Sequence, residues 1–160
     1  MTTDAPLSTA HISVTGREEK LAFARHKAEL AGKKLTPLRE HVYLRLVEEG
    51  PLGAYELLER LDGVASAKPP TAYRALEFLL ELGLIRKLKS VSKYIATLPD
   101  RTTGPSAFVV CRVCGIAEQL RYEAPATVLL EQAEQNGFRE LDPTIEISGH
   151  CGKPDCPQTT

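Results

Sequence analysis

Four cysteines constrain this 160-residue chain more than any other feature. Cys111 and Cys114 form a C-x2-C followed at once by Gly115, and Cys151 and Cys156 form a C-x4-C in a loop bearing Gly152 and Pro154. Each short pair can turn two thiolates toward one ion. Two such pairs, about 36 residues apart, complete a tetrahedral four-sulfur set. Such a set suits Zn²⁺ at Zn–S distances of about 2.3 Å and leaves no open position for a substrate, so the implied ion is structural. Rubredoxin-like iron would use the same donors. A redox C-x-x-C opens a helix after a strand, whereas Cys111–Cys114 reads as a hairpin knuckle. His150 reads as a bystander beside Cys151.

The setting agrees with a metal. No apolar run approaches the ~18–20 residues of a membrane span. Met1-Thr2-Thr3-Asp4 lacks the basic and apolar regions of a secretory signal. The expected location is the cytoplasm, where paired cysteines serve metals more often than disulfides. The net charge of −1 conceals an asymmetry: residues 1–100 carry 15 basic and 13 acidic side chains, residues 101–160 carry 5 and 8. All four cysteines lie in the acidic part. Between the parts, Pro99, Gly104 and Pro105 with small polar residues mark a hinge. The expected organisation is a winged helix-turn-helix over 1–98 (1–16 a flexible tail), a hinge over 99–106, and an α/β domain with the cysteine site over 107–160.

Local signals support that division. A first helix is expected from Arg17 to about Ala31. Thr36-Pro37 starts a second, by N-cap preference and proline's fitness for the first helical position, and Gly50 ends it. Ala54–Leu61 is a third. Pro69-Pro70-Thr71 opens a fourth that runs to Leu82, and strands over 84–88 and 93–97 then flank a turn at Ser90–Ser92. The second part reads β-β-α-β, with strands over 107–111, 116–120 and 138–147 and a helix over 125–135. The class is therefore α+β.

At about 100° per residue, Ala72, Ala75, Leu76, Leu79 and Leu80 share one face of the fourth helix, while Tyr73, Arg74, Glu77 and Glu81 share the other. Thr71, Tyr73 and Arg74 thus project from the first turns, where a helix-turn-helix meets base edges and phosphates. Lys68, Arg86, Lys87, Lys89 and Lys93 join Arg74 to make residues 66–94 locally basic, six cations against two carboxylates. The alternative is an amphipathic core helix with solvated charges.

Leu35-Thr36-Pro37-Leu38-Arg39, Ala54-Tyr55-Glu56-Leu57-Leu58, Lys68-Pro69-Pro70-Thr71-Ala72-Tyr73-Arg74-Ala75-Leu76 and the Cys111/Cys114 knuckle occur together and in this order. In this the chain resembles the ferric uptake regulator family, most of all its zinc uptake branch, from about Ala22 to Cys156. The resemblance implies a homodimeric repressor of zinc homeostasis genes that binds double-stranded operator DNA, without a small-molecule substrate, a membrane or catalysis. It implies base or backbone contacts by Arg74 and Tyr55, with Lys68, Thr71 and Tyr73 in support, and one structural Zn²⁺ per subunit on Cys111, Cys114, Cys151 and Cys156.

Two departures stand out. The family's second cysteine pair is commonly C-x2-C, and the expected hinge sensing ligands are replaced by Arg86, Thr97, about Gly104 and Gln119. An arginine cannot ligate a cation, so a second, regulatory ion is not expected. Arg86 could instead bridge to Asp100 or Glu118. The other readings are a family regulator answering a different signal, or a zinc-stabilised interaction module without DNA binding.

Overall fold

The computed structural model describes residues 14–61, 63–64, 68–97, 106–120, 125–141 and 143–157. Helices α1 (Val14–Leu30), α2 (Pro37–Glu49), α3 (Ala54–Arg60) and α4 (Pro69–Glu81) lead into a hairpin of β1 (Ile85–Leu88) and β2 (Lys93–Ala96). β3 (Ser106–Cys111), β4 (Ala117–Gln119), α5 (Pro125–Gln135) and β5 (Thr144–Gly149) follow. Helices and then a wing, followed by a small α/β unit, are the expected class.

The helix starts obey the local chemistry. Pro37 and Pro69 occupy first-turn positions, where the missing N–H has no helical partner to lose. The Glu56 side chain turns back to accept from the Gly53 N–H at 2.6 Å, closing the start of α3. That bond leads the causes that hold the Glu56 carboxyl below its ordinary range. Ala24 and Ala28, both buried, let α1 approach the other helices closely. Val42, Tyr43, Leu46, Leu57, Leu76, Leu79 and Leu84 fill the core beneath them. Burial raises the pKa of the Tyr43 phenol, which stays protonated and donates to the Thr97 carbonyl at 3.4 Å. Phe78 lies outside the expected apolar face yet is buried within the helical core cluster, and the Arg39 guanidinium stacks on its ring at 3.5 Å.

Three boundaries depart from expectation. α1 begins at Val14, three residues inside the expected tail, while residues 1–13 lie outside the described ones. Ser106 already belongs to β3, and residues 98–105 of the expected hinge lie outside the described ones. The strand expected from 138 begins only at Thr144. Arg139 caps α5 by donating to the Glu134 and Phe138 carbonyls, both at 2.9 Å, and Glu140 adopts φ +53, which extended backbone does not allow.

The second sheet has the order β4-β3-β5, with β3 antiparallel to β4 and parallel to β5. A parallel pair needs a crossover, and α5 lies within it. Leu52 pairs with Tyr94 through two backbone bonds of 3.0 and 2.8 Å and adds an edge to the wing. The wing hairpin has buried side chains on both faces. Ile85 and Ala96, directly paired, join the helical core, whereas Leu88 and Ile95 join Phe108, Val110 and Ala117 of the second sheet. No helix is long and apolar enough to cross a membrane among the described residues.

Candidate metal centre and nucleic-acid interface

The cysteine site is assembled by the β3–β5 register. Cys111, the last residue of β3, pairs with Gly149, and the Arg112 N–H donates to the Gly149 carbonyl at 2.9 Å. This brings Cys151, two residues on, beside the knuckle. Gly115 turns the chain after Cys114 at φ +72, and its N–H donates to the Cys111 carbonyl at 3.0 Å. Cys156 returns through a turn closed by its N–H on the Lys153 carbonyl at 3.0 Å.

The four Sγ atoms lie within 4.8 Å of one another. Cys111 and Cys156 are 3.9 Å apart, and Cys114 and Cys151 3.5 Å. These separations are far beyond the ~2.05 Å of a disulfide. They bracket the edge of about 3.8 Å that a tetrahedron with Zn–S bonds of about 2.3 Å requires. The N–H groups of Cys114 and Cys151 lead the causes that draw the Cys111 thiol well below its ordinary value, which favours the thiolate a metal needs. The donor set therefore fits a closed tetrahedral ion, and the two extra residues of the second pair do not prevent convergence. His150 is exposed and outside the cluster.

Gly115→Ala tests the knuckle. A side chain at φ +72 costs about 1–2 kcal/mol, and its Cβ would meet Lys93 Cε at 3.5 Å, an ordinary contact. The expected result is a modest loss of thermal stability with the zinc content unchanged, read by calorimetry and metal analysis.

The candidate reading surface lies on α4. Ala72, Ala75, Leu76 and Leu79 are at most 3% exposed and fix the helix against the core. Thr71, Tyr73 and Arg74 emerge on the opposite side, with Lys68 exposed just before the first turn. Tyr55, 80% exposed, stands at the start of α3. All five candidate contact residues are thus solvent-facing.

The wing's charges divide differently from expectation. Lys87 and Lys89 are exposed. Lys93 instead pairs with Glu56 at 3.2 Å and lays its stem against Gly115. Arg86, paired with Ile95 in the hairpin, is half-buried on the face toward the second sheet. Local sequence could not reveal this, since a hairpin's second covered face depends on a distant partner.

At the hinge positions, Thr97 is buried and its hydroxyl donates to the Gly83 carbonyl at 2.8 Å. Gln119 is buried and Arg86 half-buried. Glu118 pairs in register with Val109 on the opposite sheet face and makes an ion pair with Lys153 at 3.8 Å, rather than with Arg86. Asp100 and Gly104 lie outside the described residues. The cysteine group is the only metal-capable cluster of His, Cys, Asp and Glu among the described residues.

No family model matches the chain. The zinc uptake regulation protein of Escherichia coli (strain K12) is 36% identical over 140 residues, spanning 86% of this chain and 82% of that protein. The chain belongs to the ferric uptake regulator family, in its zinc uptake branch. It is a transcriptional regulator of that family and not an enzyme. A zinc uptake regulator complexed with zinc and DNA overlays with a TM-score of 0.72 at 34% identity, covering 85% of this chain and 93% of that one. The regulator XcZur overlays in its holo structure with a TM-score of 0.70 (31% identity, 84% and 95% covered). Its apo structure gives 0.51 (32%, 87% and 97%).

Proposed function

We propose that this regulator binds operator DNA as a homodimer in the cytoplasm and represses zinc homeostasis genes. Each subunit holds one structural Zn²⁺ on Cys111, Cys114, Cys151 and Cys156. The observation that carries the reading is the pairing of a closed four-sulfur site with an α4 whose first turns are exposed and basic. The relative complexed with zinc and DNA has the same fold at 34% identity. In this reading α4 enters the major groove with Arg74 at base edges, Lys68 and Thr71 at phosphates, and Tyr55 and Tyr73 alongside. Two subunits then read half-sites about one helical turn apart, ~34–36 Å.

Support for the homodimer comes from apolar side chains that one chain leaves in water. Val109 and Ile147 are paired neighbours on one sheet face, 38% and 53% exposed, and Val128 and Leu129 of α5 are 57% and 61% exposed. Apolar surface of this kind suits an isologous contact.

A second reading, a response to a signal other than a hinge-bound ion, is favoured by Arg86, Thr97 and Gln119 at the hinge positions. One experiment covers both. Metal analysis and light scattering on purified protein are expected to give one zinc per subunit and a dimer. Binding to duplexes selected from a randomised library is expected not to require added zinc. Absence of duplex binding at low salt would refute the DNA-binding function, and a second tight zinc needed for binding would refute the altered response.

A further inference from the structure

The wing is held to the second domain by a side chain that no sequence motif identifies. Glu146, in the middle of β5, reaches the wing turn and accepts three hydrogen bonds there. The Lys89 N–H donates to Oε1 at 2.7 Å, and the Ser90 N–H and hydroxyl donate to Oε2 at 3.1 and 2.7 Å. Both carboxylate oxygens are thus used, and both partners are consecutive residues of one turn. The turn's two donors are otherwise edge groups with no ladder partner.

The clasp closes one end of a continuous seam. Glu146 pairs in register with Phe108, so it lies on the same sheet face as Phe108 and Val110, which pack on Leu88 and Ile95. Lys93, paired with Leu88 in the hairpin, runs close to Gly115 of the metal knuckle, and its ammonium pairs with Glu56 of α3 at 3.2 Å. The apolar middle permits sliding, because dispersion contacts are non-directional. Two N–H donors and a hydroxyl converging on one carboxylate are directional and fix the register of wing against sheet.

We infer that Glu146 is a positioning residue for operator binding: it sets the angle at which the wing and α4 are presented from the second domain. The inference rests on the dimeric DNA-binding reading above. The carboxylate takes main-chain groups of the turn and the Ser90 hydroxyl, and Lys89 itself is exposed. A half-site touches one reading head, and its affinity does not depend on this angle. A duplex with two half-sites must meet both heads at once, and its affinity does.

The test uses the full zinc-loaded protein and two duplexes, one with both half-sites of a site selected by the wild type and one with a single half-site. Glu146→Ala is expected to weaken binding to the paired duplex about tenfold and to leave the single half-site within about twofold, since only simultaneous engagement is lost. Amide exchange at Lys89 and Ser90 is expected to quicken, with zinc content and dimer mass unchanged. Ser90→Ala, which removes one of the three bonds, should fall between, and the double variant should match Glu146→Ala alone. Glu146→Gln keeps the volume and serves if the alanine variant does not fold. Equal weakening on both duplexes, or no change on the paired one, would overturn the inference. If the wild type binds neither duplex, the DNA-binding reading itself fails.

Discussion

Stripping zinc from this regulator, or replacing Cys156 with serine, is expected to unfold the second domain and abolish dimerisation and specific DNA binding together. Among the described residues of 106–157, Phe108, Val110 and Ala117 form a small buried cluster that is completed by Leu88 and Ile95 of the wing. A unit of this size rarely draws more than ~3–5 kcal/mol from its core. A structural zinc bound to thiolates contributes about 10–16 kcal/mol of apparent binding free energy at neutral pH, so the ion outweighs everything else that holds these strands. Cys156 is 4% exposed, and a serine there leaves a poor ligand in a closed site. Circular dichroism should lose the strand contribution but keep most of the helix signal of α1 to α4, whose core is separate. Scattering should report monomer, and affinity for the selected duplex should fall more than about 100-fold as simultaneous half-site contact disappears. Acidification should act in the same direction. Thiolates that bind the ion lose it on protonation, so zinc release is expected as pH falls, monitored with a chromogenic chelator. A chelated protein that stays dimeric and binds its duplex would show the site to be dispensable.

The helices and the metal site were legible because their determinants are local. Proline at the first helical turn, glycine at the exits and the C-x2-C-G knuckle each act within a few residues, and the structure follows them closely. The last strand was placed too early because the apolar residues from Phe138 suggested extension, while Arg139 and Glu140 instead finish the helix. Phe78 falls outside the face that helical spacing marks as apolar, and both the core it joins and the Arg39 that stacks on it come from other elements. The seam was the least legible part. Thr144-Ile145-Glu146-Ile147 alternates like a half-exposed strand and gives no hint that Glu146 meets a turn 56 residues earlier. Arg86 and Lys93 belong by sequence to the locally basic stretch, but the second covered face of the hairpin half-buries both. Local sequence therefore identifies the candidate parts for reading DNA and binding metal, but not the contacts that orient one against the other.

Arg74→Ala is expected to remove sequence discrimination at one base pair of each half-site without disturbing the fold. Arg74 is exposed, and its neighbours Ala72, Ala75 and Leu76 carry the packing, so the stability change should stay within about ±0.5 kcal/mol. A bidentate arginine–guanine contact is worth about 1–3 kcal/mol, or roughly 5–150-fold in affinity. That loss should be concentrated at one base pair of each half-site, where the variant accepts other bases. Lys68→Ala separates base reading from phosphate attraction. It should weaken binding to all duplexes alike and lower the salt slope by about one, leaving base preference intact. Tyr55→Ala, on the neighbouring helix, should fall between these patterns according to whether its ring meets a base or the backbone. The contrast follows from position: Lys68 precedes the first turn of α4, whereas Arg74 lies one turn in, where a helix-turn-helix reaches base edges. Wild-type affinity and preference in the Arg74 variant, measured by anisotropy across single-base substitutions of the selected site, would mean that α4 is not the reading helix. The exposed, basic start of α4 would then be a solvated face, and the locally basic charge of residues 66–94 would have no role in recognition.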